Sequence, residues 1–306
     1  MNPAPEQLDW RMVQHTHPVI GENPIYEPRN DSLYWVSLFE PALKRIGLSD
    51  GVARSWSLPS EYVGAYALFD DGSGALIAAA TGLYDLQFDS GRTELVHDTP
   101  YDQQRSWFND GRCDPSGRFW VGTFPQVLAG ATPGQEHYYR VDERGVTAQI
   151  DGMTIANGTA FSPDGRRMYI ADRVNHRILA YEYDPVTGTP SNGQVFVTVA
   201  VADVPDGAAV DARGGYWITM YGGGQVRRYT PEGRLDRVIR TPVSRPTMCA
   251  FGGKRLDQLF VTTSRLFMDE DQQAAEPDAG AVFVVDVGET GIPEPHFPRA
   301  WADSAR

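Results

Sequence analysis

Short apolar segments with an aromatic or aliphatic centre recur along the chain, each bounded by polar turn residues. They are Leu33-Tyr34-Trp35-Val36, Leu76-Ile77-Ala78-Ala79, Phe119-Trp120-Val121-Gly122, Met168-Tyr169-Ile170-Ala171, Tyr216-Trp217-Ile218-Thr219 and Leu259-Phe260-Val261-Thr262. Each reads as a buried strand, and no long apolar stretch of helical period competes with that reading. Successive centres lie about 42 to 49 residues apart, the length of one four-stranded propeller blade.

The turns carry the same repeat. Asp71-Gly72-Ser73-Gly74, Asp114-Pro115-Ser116-Gly117 and Asp211-Ala212-Arg213-Gly214 share an Asp-x-x-Gly frame, and Ser162-Pro163-Asp164-Gly165 is a variant of it. The opening Asp or Ser bonds its own backbone, Pro presets φ, and Gly takes the position that a side chain would strain. After several centres a further pair of strands follows, as from His176 to the Asp-Pro-Val-Thr-Gly turn and from Gln225 to Pro231-Glu232-Gly233. The expected fold is therefore all-β: a six-bladed β-propeller with four-stranded antiparallel blades, with residues 1–306 as one domain. Closing the ring requires the chain ends to meet. Residues from Trp10 to His17 are expected to give a strand to the last blade, beside Ala281 to Val287. Asp269 to Asp278 is acidic and polar, and reads as an exposed loop.

Composition narrows the function. A formal net charge of −13 repels phosphate backbones and anionic membranes, which argues against nucleic-acid and membrane partners. Met1-Asn2-Pro3-Ala4-Pro5 opens without the basic cluster and apolar core of a secretory signal, and no apolar run has the length of a membrane span. The two cysteines, Cys113 and Cys249, stand far apart and in no metal-binding spacing. A disulfide framework is not expected, and a reducing, cytoplasmic setting fits.

The repeat also proposes a site. Five residues before the turn openers Asp114, Ser162 and Asp211 stand Asn109, Asn157 and Asp206, and the equivalent step from Glu27 gives Glu22. The same count gives Tyr66 in the second unit and Thr247 in the sixth. Equivalent positions of a propeller are related by rotation about its axis, so four oxygen-bearing side chains from four blades should converge at one mouth of the channel. Two carboxylates and two amides suit a hard divalent cation: Ca²⁺ first, with Mg²⁺, Mn²⁺ and Fe²⁺ as alternatives. Zn²⁺ is a poorer match to a set without Cys or His. Taken singly, Asn157-Gly158 or Asp206-Gly207 reads as an ordinary turn and Glu22 as a surface acid. Their shared slot is what favours a site.

Other chemistries find less support. The six histidines, His15, His17, His97, His137, His176 and His296, share no repeat slot. No Gly-x-Ser-x-Gly elbow occurs. Gly222-Gly223-Gly224 reads as a tight turn, Cys113 and Cys249 as core residues, and Arg245 as structural.

At these residues the chain resembles the senescence marker protein 30 / gluconolactonase / luciferin-regenerating-enzyme family. The resemblance covers roughly residues 18–288. It is carried by Gly21-Glu22-Asn23-Pro24, by Phe108-Asn109-Asp110-Gly111-Arg112 running on to Gly122-Thr123, by Asn157 through Gly165, by Pro205-Asp206-Gly207 through Asp211, and by Ser244-Arg245-Pro246-Thr247 with Cys249 to Gly253. The resemblance implies one catalytic divalent metal held by Glu22, Asn157 and Asp206, a substrate-contacting Asn109, an acid/base role for Asp206, and a small lactone, most typically a sugar lactone, as substrate.

The departures from the family pattern matter. Asn23 replaces the usual Gly, and Ser37 replaces an Asp. Trp107 stands where the animal lactonases have an Arg, and Phe124-Pro125-Gln126-Val127 lacks their Glu. Trp107 and Phe108 point to a more apolar pocket wall, or else to packing between blades. A phosphotriesterase-like hydrolase on the same metal cup and a non-catalytic metal-binding propeller are the alternative functions. The sequence does not specify an oligomeric state.

Overall fold

A computed structural model describes residues 3–14, 18–127 and 132–304. These residues form six four-stranded sheets, each antiparallel throughout. The innermost strands are Gly21–Glu27, Val63–Leu68, Ser106–Cys113, Ala156–Phe161, Val204–Val210 and Pro246–Gly252, defining blades 1 to 6. Each inner strand lies against that of the next blade, and blade 6 returns to blade 1. The molecule is the six-bladed propeller that the repeat predicts.

Every recurring apolar segment is the second strand of its blade, where both faces are covered by neighbouring sheets. Trp35, Trp120 and Trp217 are accordingly fully buried. A buried indole N–H usually finds a partner, and two of the three do, while Trp35 Nε1 has none among the described residues. Trp217 Nε1 donates to Asp211 Oδ2 at 2.8 Å, and Trp120 Nε1 to the Tyr183 hydroxyl at 2.9 Å. The turn openers behave as their chemistry dictates: Asp114 Oδ1 accepts from the backbone N–H of Ser116 and Arg118, and Gly117 closes that turn at φ 86°.

The ring is closed by Arg11–Gln14, which pairs with Val282–Asp286 as the outermost strand of blade 6. This is the closure expected for residues 10–17, of which His15 to His17 lie outside the described residues. One expectation is corrected. Within the acidic stretch from Asp269, Glu270–Ala275 form a short helix rather than a loop. Asp269 caps it by accepting from Gln272 N, while the Gln272 side chain returns to the Asp269 N–H, a capping box that the sequence carries in plain view.

The segment after blade 6 crosses the far side of the ring. Gly291 bridges to Asp211 in blade 5, Glu294 pairs with Arg112 at 2.7 Å, and Phe297 bridges to Phe69 beside blade 2. It thereby covers the end of the channel opposite the candidate site. Among the described residues no helix is long and apolar enough to cross a membrane.

Candidate active site

Each of the six inner strands has one residue more than its partner strand spans. The register slips between Glu22 and Ile25, Val63 and Ala65, Phe108 and Gly111, Asn157 and Ala160, Pro205 and Ala208, and Pro246 and Met248. A β-bulge turns the strand and re-aims the side chains beside it. Here the same bulge, repeated around the ring, directs side chains of the inner strands into one mouth of the channel. Asn157-Gly158 and Asp206-Gly207 therefore lie in strands and not in turns.

Glu22, Asn109, Asn157 and Asp206 stand at one equivalent position of their inner strands, and the position expected in blade 2 is corrected. Pairing places Gly64, not Tyr66, at the equivalent position of blade 2, because the turn after Leu68 opens at Phe69 rather than Asp71, Gly72 N donating to Phe69 O as Gly117 N does to Asp114 O. Tyr66 is instead buried in the core between blades. Thr247 occupies the slot in blade 6, but its hydroxyl is taken up by Gly21 O at 2.6 Å and Thr262 Oγ1 at 2.8 Å.

Glu22, Asn109, Asn157 and Asp206 all line one cavity of about 490 Å³, together with Trp107. Asp206 is the most enclosed of the charged groups, at 2% exposure. Its Oδ1 accepts from Arg173 Nη1 at 3.3 Å, and the Asn157 amide also bonds to the carboxylate. Its Oδ2 is buried without a partner among the described residues. Burial pushes the Asp206 carboxyl up to about 7 against the pull of Arg173, and nearby Asp110 adds to the rise. Glu22 is likewise raised, first by burial and then by the charges of Asp206 and Asp110. Two carboxylates in an enclosed site, with one guanidinium between them and one oxygen unmatched, form a donor set short of positive charge. A divalent cation fits that deficit.

Asn109 is held from two sides. Its Nδ2 donates to Ala156 O at 2.8 Å, and its Oδ1 accepts from the Tyr62 hydroxyl at 3.2 Å. Trp107 forms part of the cavity wall, with its ring stacked on Tyr62 at 5.0 Å and edge-on to Phe124. Its neighbour Phe108 points the other way and is fully buried against Tyr101 and Tyr139, so of the two aromatics only Trp107 faces the cavity.

Sequence reasoning missed Tyr62, Arg173, Tyr221, Leu266 and Phe267, all on the cavity. The signal existed in part. Leu38, Arg173 and Tyr221 stand at or just beyond the end of their blade's second strand, so a second repeat slot, read after the apolar segments, leads to the same mouth. Cys113 and Cys249 are free and buried, and Arg245 donates to Leu266 O at 2.6 Å. None of the described histidines lines the cavity.

A propeller with an oxygen-lined axial cup defines a class, and comparison with known proteins gives the family. Residues 20–265 match the SMP-30/gluconolactonase/LRE-like region, and the chain belongs to that family. It is 36% identical over 282 residues to a 6-deoxy-6-sulfogluconolactonase of Pseudomonas putida, covering 91% of this chain and 95% of that one. It is 32% identical over 292 residues to an L-arabinolactonase of Azospirillum brasilense, covering 94% of each. Among solved structures, a calcium-binding protein, regucalcin, of Agrobacterium tumefaciens superposes with a TM-score of 0.90 at 30% identity, covering 95% of this chain and 98% of that one.

Proposed function

We propose that the chain is a divalent-metal-dependent hydrolase of lactones, with Glu22, Asn157 and Asp206 as the metal ligands. The observation that carries this reading is the convergence of those three side chains in one cavity, with Asp206 Oδ2 buried and unmatched. The lactonase names of its relatives support the reaction class and make sugar lactones the first substrates to test. The all-oxygen donor set favours Ca²⁺ over Mg²⁺, Mn²⁺ and Fe²⁺, and all of these over Zn²⁺. A cation bound there supplies Lewis-acid polarisation of the ester carbonyl and stabilises the charge that develops on its oxygen.

The chain's own residues do the rest. The Asp206 carboxylate orients the attacking water and takes its proton. The water oxygen bonds to the carbonyl carbon, the ring C–O bond breaks, and the proton passes to the released ring oxygen, giving the open hydroxy acid. Asn109, fixed by Tyr62 and Ala156, presents its remaining amide N–H to the substrate without adding charge. Trp107 bounds the ring on one side and keeps water from the reacting face. The test is turnover of an aldonolactone panel with and without chelator. Chelator-sensitive hydrolysis that is lost in Asp206→Asn and Glu22→Gln, with both variants folded, is expected. Chelator-resistant hydrolysis, or no hydrolysis of any cyclic ester, rejects the reading.

A further inference from the structure

The cavity has few polar groups left to offer a substrate. Once Glu22, Asn157 and Asp206 form the cup, Asn109 keeps one amide N–H beyond its bonds to Ala156 and Tyr62, and Arg173 keeps the N–H groups not turned to Asp206. Tyr221 spends its hydroxyl proton on Leu266 O at 3.1 Å. Of the lining side chains, Gln126 is the one polar group in no bond with a described residue. A polyhydroxylated ring enclosed there would strand several hydroxyls, each at the cost of a lost hydrogen bond.

The apolar lining is organised instead. Tyr62, Trp107 and Phe124 form a continuous aromatic wall, with Tyr62–Trp107 centroids 5.0 Å apart and Tyr62–Phe124 centroids 5.3 Å apart. At the rim Phe39, Val127 and Phe267 are 42%, 64% and 73% exposed. Isolated exposed apolar side chains need no explanation, but three around the mouth of one cavity mark a surface that is covered in use. Phe267 is held outward on backbone at φ 61°, an unfavourable conformation for a bulky residue.

We propose that this wall and rim form a subsite for an alkyl or aryl substituent on the lactone ring, so that the preferred substrate is an apolar-substituted lactone. The proposal rests on the lactone-hydrolase reading and specifies which lactones that site selects. The ring sits over the cup, the substituent lies along Tyr62, Trp107 and Phe124, and a longer chain reaches Phe39 and Phe267.

The experiment measures kcat/KM of the metal-loaded protein for δ-valerolactone, δ-hexalactone, δ-octalactone and δ-decalactone, with glucono-δ-lactone beside them. A rise of roughly fourfold per buried methylene is expected until the cavity fills, with δ-decalactone outrunning glucono-δ-lactone. Phe39→Ser and Phe267→Ser, both at exposed positions, are expected to flatten that slope. A flat series with glucono-δ-lactone preferred overturns the subsite and leaves the hydrolase reading standing. Absence of turnover for every lactone overturns both.

Discussion

Arg173 Nη1 lies 3.3 Å from Asp206 Oδ1, with its guanidinium 4.8 Å above the centre of the Tyr221 ring. The arrangement gives the cup an internal counter-ion. A guanidinium beside a ligand carboxylate stabilises its charge and at the same time repels a divalent cation. Arg173→Gln removes one positive charge and keeps a donor in place. Cation affinity measured by isothermal titration calorimetry is expected to rise by about tenfold, since unit charges a few ångströms apart interact by more than ~1.4 kcal/mol in a partly enclosed site. Unchanged or weaker binding would show that Arg173 does not compete with the ion.

Asn23 bears on the stability of the same mouth. It is buried, sits at φ 51°, and donates from Nδ2 to Gly64 O at 2.8 Å, tying blade 1 to blade 2. Asn is the side chain best suited to left-handed backbone after Gly. Asn23→Gly keeps the backbone and loses the bond, at about 1 kcal/mol. Asn23→Ala loses the bond and adds strain, at about 2 to 3 kcal/mol. Thermal unfolding should therefore rank the native chain above Asn23→Gly and Asn23→Ala lowest, and the reverse order of the two variants would refute the role assigned to the backbone.

The segment that covers the far side of the ring is expected to respond to acid. Glu27 is 3% exposed, with His296 Nε2 at 2.7 Å and Arg29 Nη2 at 2.6 Å from its Oε2. Burial raises its carboxyl, but the bonds to His296 and Arg29 outweigh this and hold it at about 2, against an ordinary value of 4.5. A folded value below the unfolded one stabilises the fold above pH 4.5, and that stability is lost as the pH falls through 4.5 toward 2. Glu27→Gln should flatten the dependence of unfolding free energy on pH across that window. An equally steep slope in the variant would place the acid sensitivity elsewhere.

The ring was legible in sequence because six similar segments must bury the same two faces, and the apolar centres and Asp-opened turns recur with that period. Glu22, Asn157 and Asp206 were legible for the same reason: one slot, repeated. Tyr66 was misplaced because the count began at Asp71, whereas the turn opens at the apolar Phe69, which carries no side chain to mark it as an opener, and five residues before Phe69 stands Gly64. Arg173 shares a repeat slot with Leu38 and Tyr221, but three unlike side chains at one position give no shared chemistry to notice, and Phe267 lies in a loop that no period relates to the others. The bulges were invisible as well. A single extra residue in each inner strand leaves no mark in composition, yet it is what turns Asp206 and Asn157 toward the axis.

Gly158 offers the sharpest test of that last point. It follows Asn157 within the bulge of blade 4 at φ 64°, and a Cβ there would stand 2.5 Å from the Tyr216 hydroxyl and 2.8 Å from the Ala171 Cβ. Tyr216 cannot retreat freely, because it is fully buried and its hydroxyl donates to Gly158 O at 2.8 Å. Gly158→Ala must therefore shift the bulge, and Asn157 with it. The expected cost is about 2 to 4 kcal/mol of stability from strain and overpacking together. The folded fraction should also bind the cation more weakly, since one of the three proposed ligands is displaced. Gly207 differs in that its backbone is not left-handed, but a Cβ there would stand 2.3 Å from Met248 Cγ, 2.4 Å from Met248 Cβ and 2.8 Å from Met248 Cα. Met248→Ala keeps that Cβ and Cα, so adding it to Gly207→Ala should recover little of what Gly207→Ala loses. Calorimetric cation binding and thermal unfolding of the four proteins decide the matter: full metal affinity in Gly158→Ala would mean that Asn157 is not aimed by the bulge.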